Sequence, residues 1–170
     1  MKELFIMRHG KSSWENPSLD DFDRPLKKRG EKDSALMSEF LRNQDLMPDV
    51  ILTSPAQRAI STALKITQKN PQPVIFKIDS FYPGVADYYL MELEKMADKI
   101  KRVMIVGHNS ALEELIKLIS GRNEVLKTAN IAWIELQIKS WKDVMFSSYT
   151  GKMLALWRPK EIIIKKKSEK

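Results

Sequence analysis

The 170-residue chain contains no cysteine. That absence excludes disulfides, thiolate metal ligands and a cysteine nucleophile together. Histidine is almost as scarce, with two in the whole chain. Two imidazoles and no thiolate leave a structural zinc site without its usual four ligands, and no acidic calcium-binding loop occurs, so no metal and no cofactor are expected. Long apolar runs are missing as well. Met1-Lys2-Glu3 is followed by only four apolar residues, too few for a signal-peptide core, and no run approaches the length of a membrane span. The reading is a cytoplasmic protein with no membrane partner. The glycines, six in all, include no pair five apart followed by lysine, which excludes a nucleotide phosphate loop of that type.

What the chain does have is enough apolar content, 43%, for one domain. A chain of this length buries roughly 70% of its unfolded surface on folding and needs no staple. The net charge of +7 raises the question of nucleic acid. Residues 158–170, however, hold six basic and two acidic side chains, so much of the excess sits at the end of the chain and the body is close to balanced. A single domain over 1–158 followed by a basic tail over 159–170 is expected, with Ile162-Ile163-Ile164 as a last edge segment before a solvated end. No nucleic-acid partner is expected. Trp133, Trp141 and Trp157 read as packing residues of the last strands rather than as a stacking surface for bases.

Apolar runs alternate with segments of helical period, the pattern of a mostly parallel sheet covered on both faces by helices in a three-layer α/β/α sandwich. Strands are expected over 4–7, 50–53, 74–78 and 103–106, then over 131–138 and 153–157 as a hairpin-like pair. Helices are expected over 30–43, from Ser54-Pro55 onward, over 87–99 and from Ser110 to Gly121. Ser54 is placed as the cap of the second helix with Pro55 in its first turn, and Ser110 with Glu113 as a capping box for the fourth. The polar stretch 11–28 has no period and is too long for a connector, so it reads as a functional loop.

Both histidines follow a short apolar strand, in Arg8-His9-Gly10 and in Gly107-His108-Asn109. Arg58 lies just beyond a third strand, in Ser54-Pro55-Ala56-Gln57-Arg58. Carboxyl ends of strands in open parallel sheets form the ligand crevice, so Arg8, His9, Arg58 and His108 converge on one rim. Two guanidiniums can fork onto phosphoryl oxygens, and imidazole can act as nucleophile or cation near neutral pH. The set suits a dianionic phosphoryl group handled without metal, with one imidazole attacking phosphorus and the other bracing its oxygens.

These three segments resemble the signature segments of the histidine phosphatase superfamily, which includes the phosphoglycerate mutases. Lys11-Ser12-Ser13-Trp14, the stretch Asp20-Asp21-Phe22-Asp23-Arg24-Pro25-Leu26 and the closing Trp157-Arg158-Pro159-Lys160 resemble, more narrowly, the small SixA-type phosphohistidine phosphatases. The resemblance implies a phosphoglycerate mutase-like fold, with His9 as the phosphorylated nucleophile, Arg8 and Arg58 as the clamp and His108 completing the pocket. It implies a metal-independent phosphatase with no cofactor, acting on phosphohistidine in a protein partner such as a phosphotransfer domain. SixA-type relatives often carry alanine where this chain has Gly10, an exchange expected to be tolerated.

The general acid that larger members use has no evident counterpart. An alkoxide leaving group needs a proton in the transition state, whereas the P–N bond of phosphohistidine is weak and its imidazole leaves readily once protonated, so the gap favours phosphohistidine. Asp87 is the nearest candidate acid, although capping the following helix is its plainer role. Asp21-Phe22-Asp23 is similar to the aspartate pair of magnesium-dependent phosphatases but lacks a preceding apolar strand; it reads as loop structure that touches substrate or closes on Arg24. Trp14 could line the mouth of the pocket. Two rival readings stand: a phosphomonoesterase for a small phosphorylated metabolite, and a noncatalytic phosphate-binding module.

Overall fold

The computed structural model describes residues 1–69, 73–146, 149 and 151–168. A six-stranded sheet is built from β1 (Lys2–Arg8), β2 (Val50–Thr53), β3 (Val74–Lys77), β4 (Arg102–Gly107), β5 (Ile131–Leu136) and β6 (Lys152–Trp157). Its spatial order is β3-β2-β4-β1-β5-β6. β3, β2, β4 and β1 run parallel, while β5 pairs antiparallel with both β1 and β6. The helices are α1 (Lys28–Asn43), α2 (Gln57–Thr67), α3 (Ala86–Glu94), α4 (Ala111–Ser120) and α5 (Pro159–Ser168). Among the described residues, no helix is long and apolar enough to cross a membrane.

Alternation along the strands supplies two cores. β1 sends Leu4 and Ile6 to one face, where Leu90 and Leu93 of α3 and Leu112, Leu115 and Ile116 of α4 cover them. Phe5 and Met7 point the other way, against Met37 and Leu41 of α1 and Ala59, Ala63 and Ile66 of α2. Both faces of the central strands are therefore buried, which is why those strands are apolar throughout. The result is the expected three-layer sandwich.

α3 ends at Glu94 and not at 99, and three further local expectations differ from the structure. The segment after Pro159 is helical and not an edge strand, because Ile162 turns into the second core and is 5% exposed. α2 starts at Gln57, since Ala56 remains extended (φ −61, ψ 138) and takes the cap position. Ser110 makes no capping bond; the Glu113 carboxylate instead accepts from Asn109 Nδ2 at 2.7 Å and from the Leu126 amide at 2.8 Å. For Ile162 and Glu113 a tertiary partner outcompetes a local pattern. Trp133 and Trp157 stack at 5.4 Å and both lie against Phe5, and Trp141 is fully buried, in keeping with their packing role.

Candidate active site

The sheet order sets the carboxyl ends of β2, β4 and β1 side by side. Arg8 pairs in register with Gly107, and the backbone continues the pairing, with the His9 amide donating to the Gly107 carbonyl at 3.2 Å and the Ser54 amide to the Val106 carbonyl at 2.9 Å. His9 and His108 therefore emerge next to each other, ring centroids 5.1 Å apart. They line a cavity of about 280 Å³ together with Arg8, Arg24, Arg58 and Trp14. All four residues expected at the site converge on it.

His9 is held in one tautomer. Its Nδ1–H donates to the Gly10 carbonyl at 2.7 Å, and Arg58 Nε–H donates to Nε2 at 3.3 Å, so Nε2 carries the lone pair. Burial, and after it the repulsion of Arg58 and Arg8, outweighs the Gly10 bond and lowers the His9 pKa to about 4. The imidazole is thus neutral at pH 7 with its nucleophilic nitrogen beside a guanidinium. His108 is lowered to about 3, first by burial and then by repulsion from His9 and Arg58. Its Nε2 lies 2.7 Å from Ser54 Oγ. That oxygen already accepts the Ala56 amide at 3.2 Å, leaving its O–H free to donate to Nε2. In the tautomer where Ser54 donates, the proton of His108 resides on Nδ1, a buried atom with no other hydrogen-bond partner, as is Arg8 Nε. Both residues line the cavity.

Gly10 owes its identity to packing. A Cβ there would lie 2.8 Å from the Gly30 carbonyl oxygen and 2.9 Å from Ser34 Oγ, because α1 crosses directly behind the loop. The alanine expected to be tolerated would press on backbone, a contact invisible in the sequence.

The loop 11–26 forms a strap over the site. It is closed by a Ser12–Leu26 bridge and by Lys27 N–H donating to Lys11 O at 2.8 Å. Arg24 ties it internally, reaching Ser13 O at 3.0 Å, Ser12 Oγ and Asp21 Oδ1, while its guanidinium stacks 3.3 Å from the Trp14 ring centroid. Asp21 is the functional candidate that sequence reasoning underrated. Its carboxylate accepts from Arg58 Nη2 and from the Tyr82 hydroxyl, both at 2.9 Å, and Arg58 Nη1 also donates to its backbone carbonyl. Burial would raise the Asp21 pKa, but the bonds from Tyr82, Arg58 and Arg24 win and hold it at about 2. Asp87, by contrast, sits exposed on the first turn of α3 and makes no capping bond. No local signal marks Ser54 or Tyr82 as site residues. For Asp21, the signal available was the acidic cluster itself.

A family model for the histidine phosphatase superfamily (branch 1) matches residues 4–79. An uncharacterised chloroplastic protein of Arabidopsis thaliana is 35% identical over 161 residues, covering 88% of this chain and 73% of that protein. Among solved structures, the protein histidine phosphatase SixA complexed with tungstate aligns with a TM-score of 0.79 at 22% identity, over 94% of this chain and 99% of that one. A SixA phosphohistidine phosphatase candidate from Agrobacterium tumefaciens aligns with a TM-score of 0.80, also at 22% identity, over 93% of this chain and 98% of its own. At that identity the two structures speak for the fold alone. With the sequence relationship and the shared architecture in agreement, the chain belongs to the histidine phosphatase superfamily and has its phosphoglycerate mutase-like, SixA-like form.

Proposed function

We propose that this histidine-phosphatase-superfamily phosphatase works through a phosphorylated His9 and removes the phosphoryl group from phosphohistidine in a protein partner. Arg8, Arg58 and His108 bind the phosphoryl oxygens. The observation that carries the reading is the contrast between a neutral His9, anchored through Nδ1–H, and a site carboxylate, Asp21, that is held ionised.

The proton inventory then selects the substrate. His9 Nε2 attacks phosphorus, forming a P–N bond while its Nδ1–H stays on the Gly10 carbonyl. The substrate reacts as its phosphoimidazolium form, with a proton from solvent on the other ring nitrogen; the P–N bond breaks, its electron pair returns to that ring, and a neutral imidazole leaves. Water next attacks phosphorus, the P–Nε2 bond breaks, and the water proton departs on inorganic phosphate. His9 returns to its starting tautomer, and neither step draws a proton from the protein. An ester would expel an alkoxide, which needs a proton, and Asp21, held ionised in the ligand-free site by Tyr82, Arg58 and Arg24, carries none there. The names carried by the SixA neighbours support the same substrate class.

Incubation with phosphoimidazole, a phosphohistidine peptide and alkyl phosphate monoesters tests this. Faster turnover of the two phosphoramidates is expected, together with acid-labile, base-stable phosphate on the protein that disappears in His9→Ala. Preferential hydrolysis of the alkyl esters would establish the metabolite phosphomonoesterase instead. Absence of turnover and of phosphoenzyme would leave the phosphate-binding module.

A further inference from the structure

A second cavity, of about 420 Å³, adjoins the catalytic one and shares Arg8, Lys11 and Thr128 with it. It runs from β1 to the start of α5. Six cationic side chains line it, Arg8, Lys11, Arg29, Lys127, Arg158 and Lys160, against two carboxylates. Those carboxylates are taken by the outer arginines, Asp33 by Arg29 at 3.5 Å and Glu161 by Arg158 at 3.1 Å. Lys11, Lys127 and Lys160 are exposed, and among the described residues none of them makes an ion pair. Asn130 is 2% exposed and lines the same cavity, and its Nδ2 has no hydrogen-bond partner.

We propose that this groove is a second binding site, one that takes the carboxylates of an acidic protein segment flanking the phosphorylated histidine delivered to the neighbouring cavity. The proposal rests on the phosphohistidine reading above. The composition of the groove identifies the ligand class. A compact second phosphate would be clamped by arginine forks, but the two outer forks are already engaged by carboxylates and Arg8 also lines the catalytic cavity, so the three charges that remain are ammonium groups on flexible stems. Such dispersed point charges suit several carboxylates spread along a chain. Among the described residues no aromatic side chain lines the groove, so they offer no stacking platform for a single-stranded nucleic acid.

Calorimetric titration with an unphosphorylated acidic peptide, and with its counterpart bearing Asn and Gln for Asp and Glu, tests the site. The proteins compared are the wild type and the Lys127→Gln/Lys160→Gln double variant. Both positions are exposed and outside the catalytic cavity, so turnover of phosphoimidazole stays unchanged in the double variant. The acidic peptide is expected to bind the double variant about fivefold more weakly than the wild type, with the difference shrinking as salt is raised. The neutral peptide binds both proteins weakly. Equal affinity of the acidic peptide for both proteins, or tighter binding of a single-stranded oligonucleotide than of the peptide, would overturn the proposal. Failure of the wild type to turn over phosphoimidazole would count against the phosphohistidine reading alone, because peptide binding requires no turnover.

Discussion

Acidification of the ligand-free protein offers a direct view of the two histidines, whose resonances are unambiguous because the chain has no others. An imidazole in the unfolded chain titrates near 6.5, whereas His9 and His108 in the native state are held at about 4 and about 3 by burial and by the neighbouring positive charge. The unfolded state therefore binds more protons than the native one below pH 6.5. The contribution of each ring to stability is complete above that pH and is lost as pH falls, down to about 4 for His9 and about 3 for His108. By about pH 5 the loss amounts to about 2 kcal/mol for each ring, a large part of the stability of an ordinary domain. Most carboxylates remain ionised there, so the histidines dominate the slope. Titration of the ring protons by NMR, paired with urea unfolding at about pH 7.5 and about pH 5, measures both sides of the linkage. Inorganic phosphate should raise both ring values, since a bound dianion favours the cationic forms. Native titration of either ring near 6.5, or a urea midpoint that does not move over this interval, would refute the proposed neutral, desolvated pair.

Two substitutions probe the surroundings of that pair. Asp21→Asn removes the carboxylate 2.9 Å from Arg58 Nη2 and should tighten binding of inorganic phosphate by about threefold to tenfold, measured by calorimetry, because the anion no longer competes for the guanidinium; weaker binding would mean that Asp21 positions Arg58 more than it occupies it. Gly10→Ala should cost about 1–3 kcal/mol in urea unfolding, since its Cβ meets the Gly30 carbonyl oxygen at 2.8 Å and backbone cannot swing aside. An unchanged midpoint would show that α1 can move back at no cost.

The sequence by itself determined the sandwich and the four residues placed at its rim. Short apolar runs that alternate with helical period identify buried parallel strands, and a histidine directly after such a run must emerge at a strand end. For that reason Arg8, His9 and His108 could be located from a few residues of local pattern, with Arg58 following from the strand-to-helix corner before it. Only the tertiary structure decided how these residues are poised. The hydrogen bond of His108 comes from Ser54, 54 positions away, and the ionised state of Asp21 depends on Tyr82 and on Arg58, 37 positions away. Local rules misassigned Ser54 and Glu113 as helix caps because their side chains bond to partners brought in by the sheet and by the 126 loop. The final helix and the basic groove beside the site were hidden for a related reason. Ile162 folds inward through contact with a core assembled from distant strands and helices, and that contact carries Lys160 to the same cavity as Lys11 and Lys127. A residue's neighbours along the chain set its conformational preference, while its protonation, tautomer and ligand depend on the groups the fold places against it.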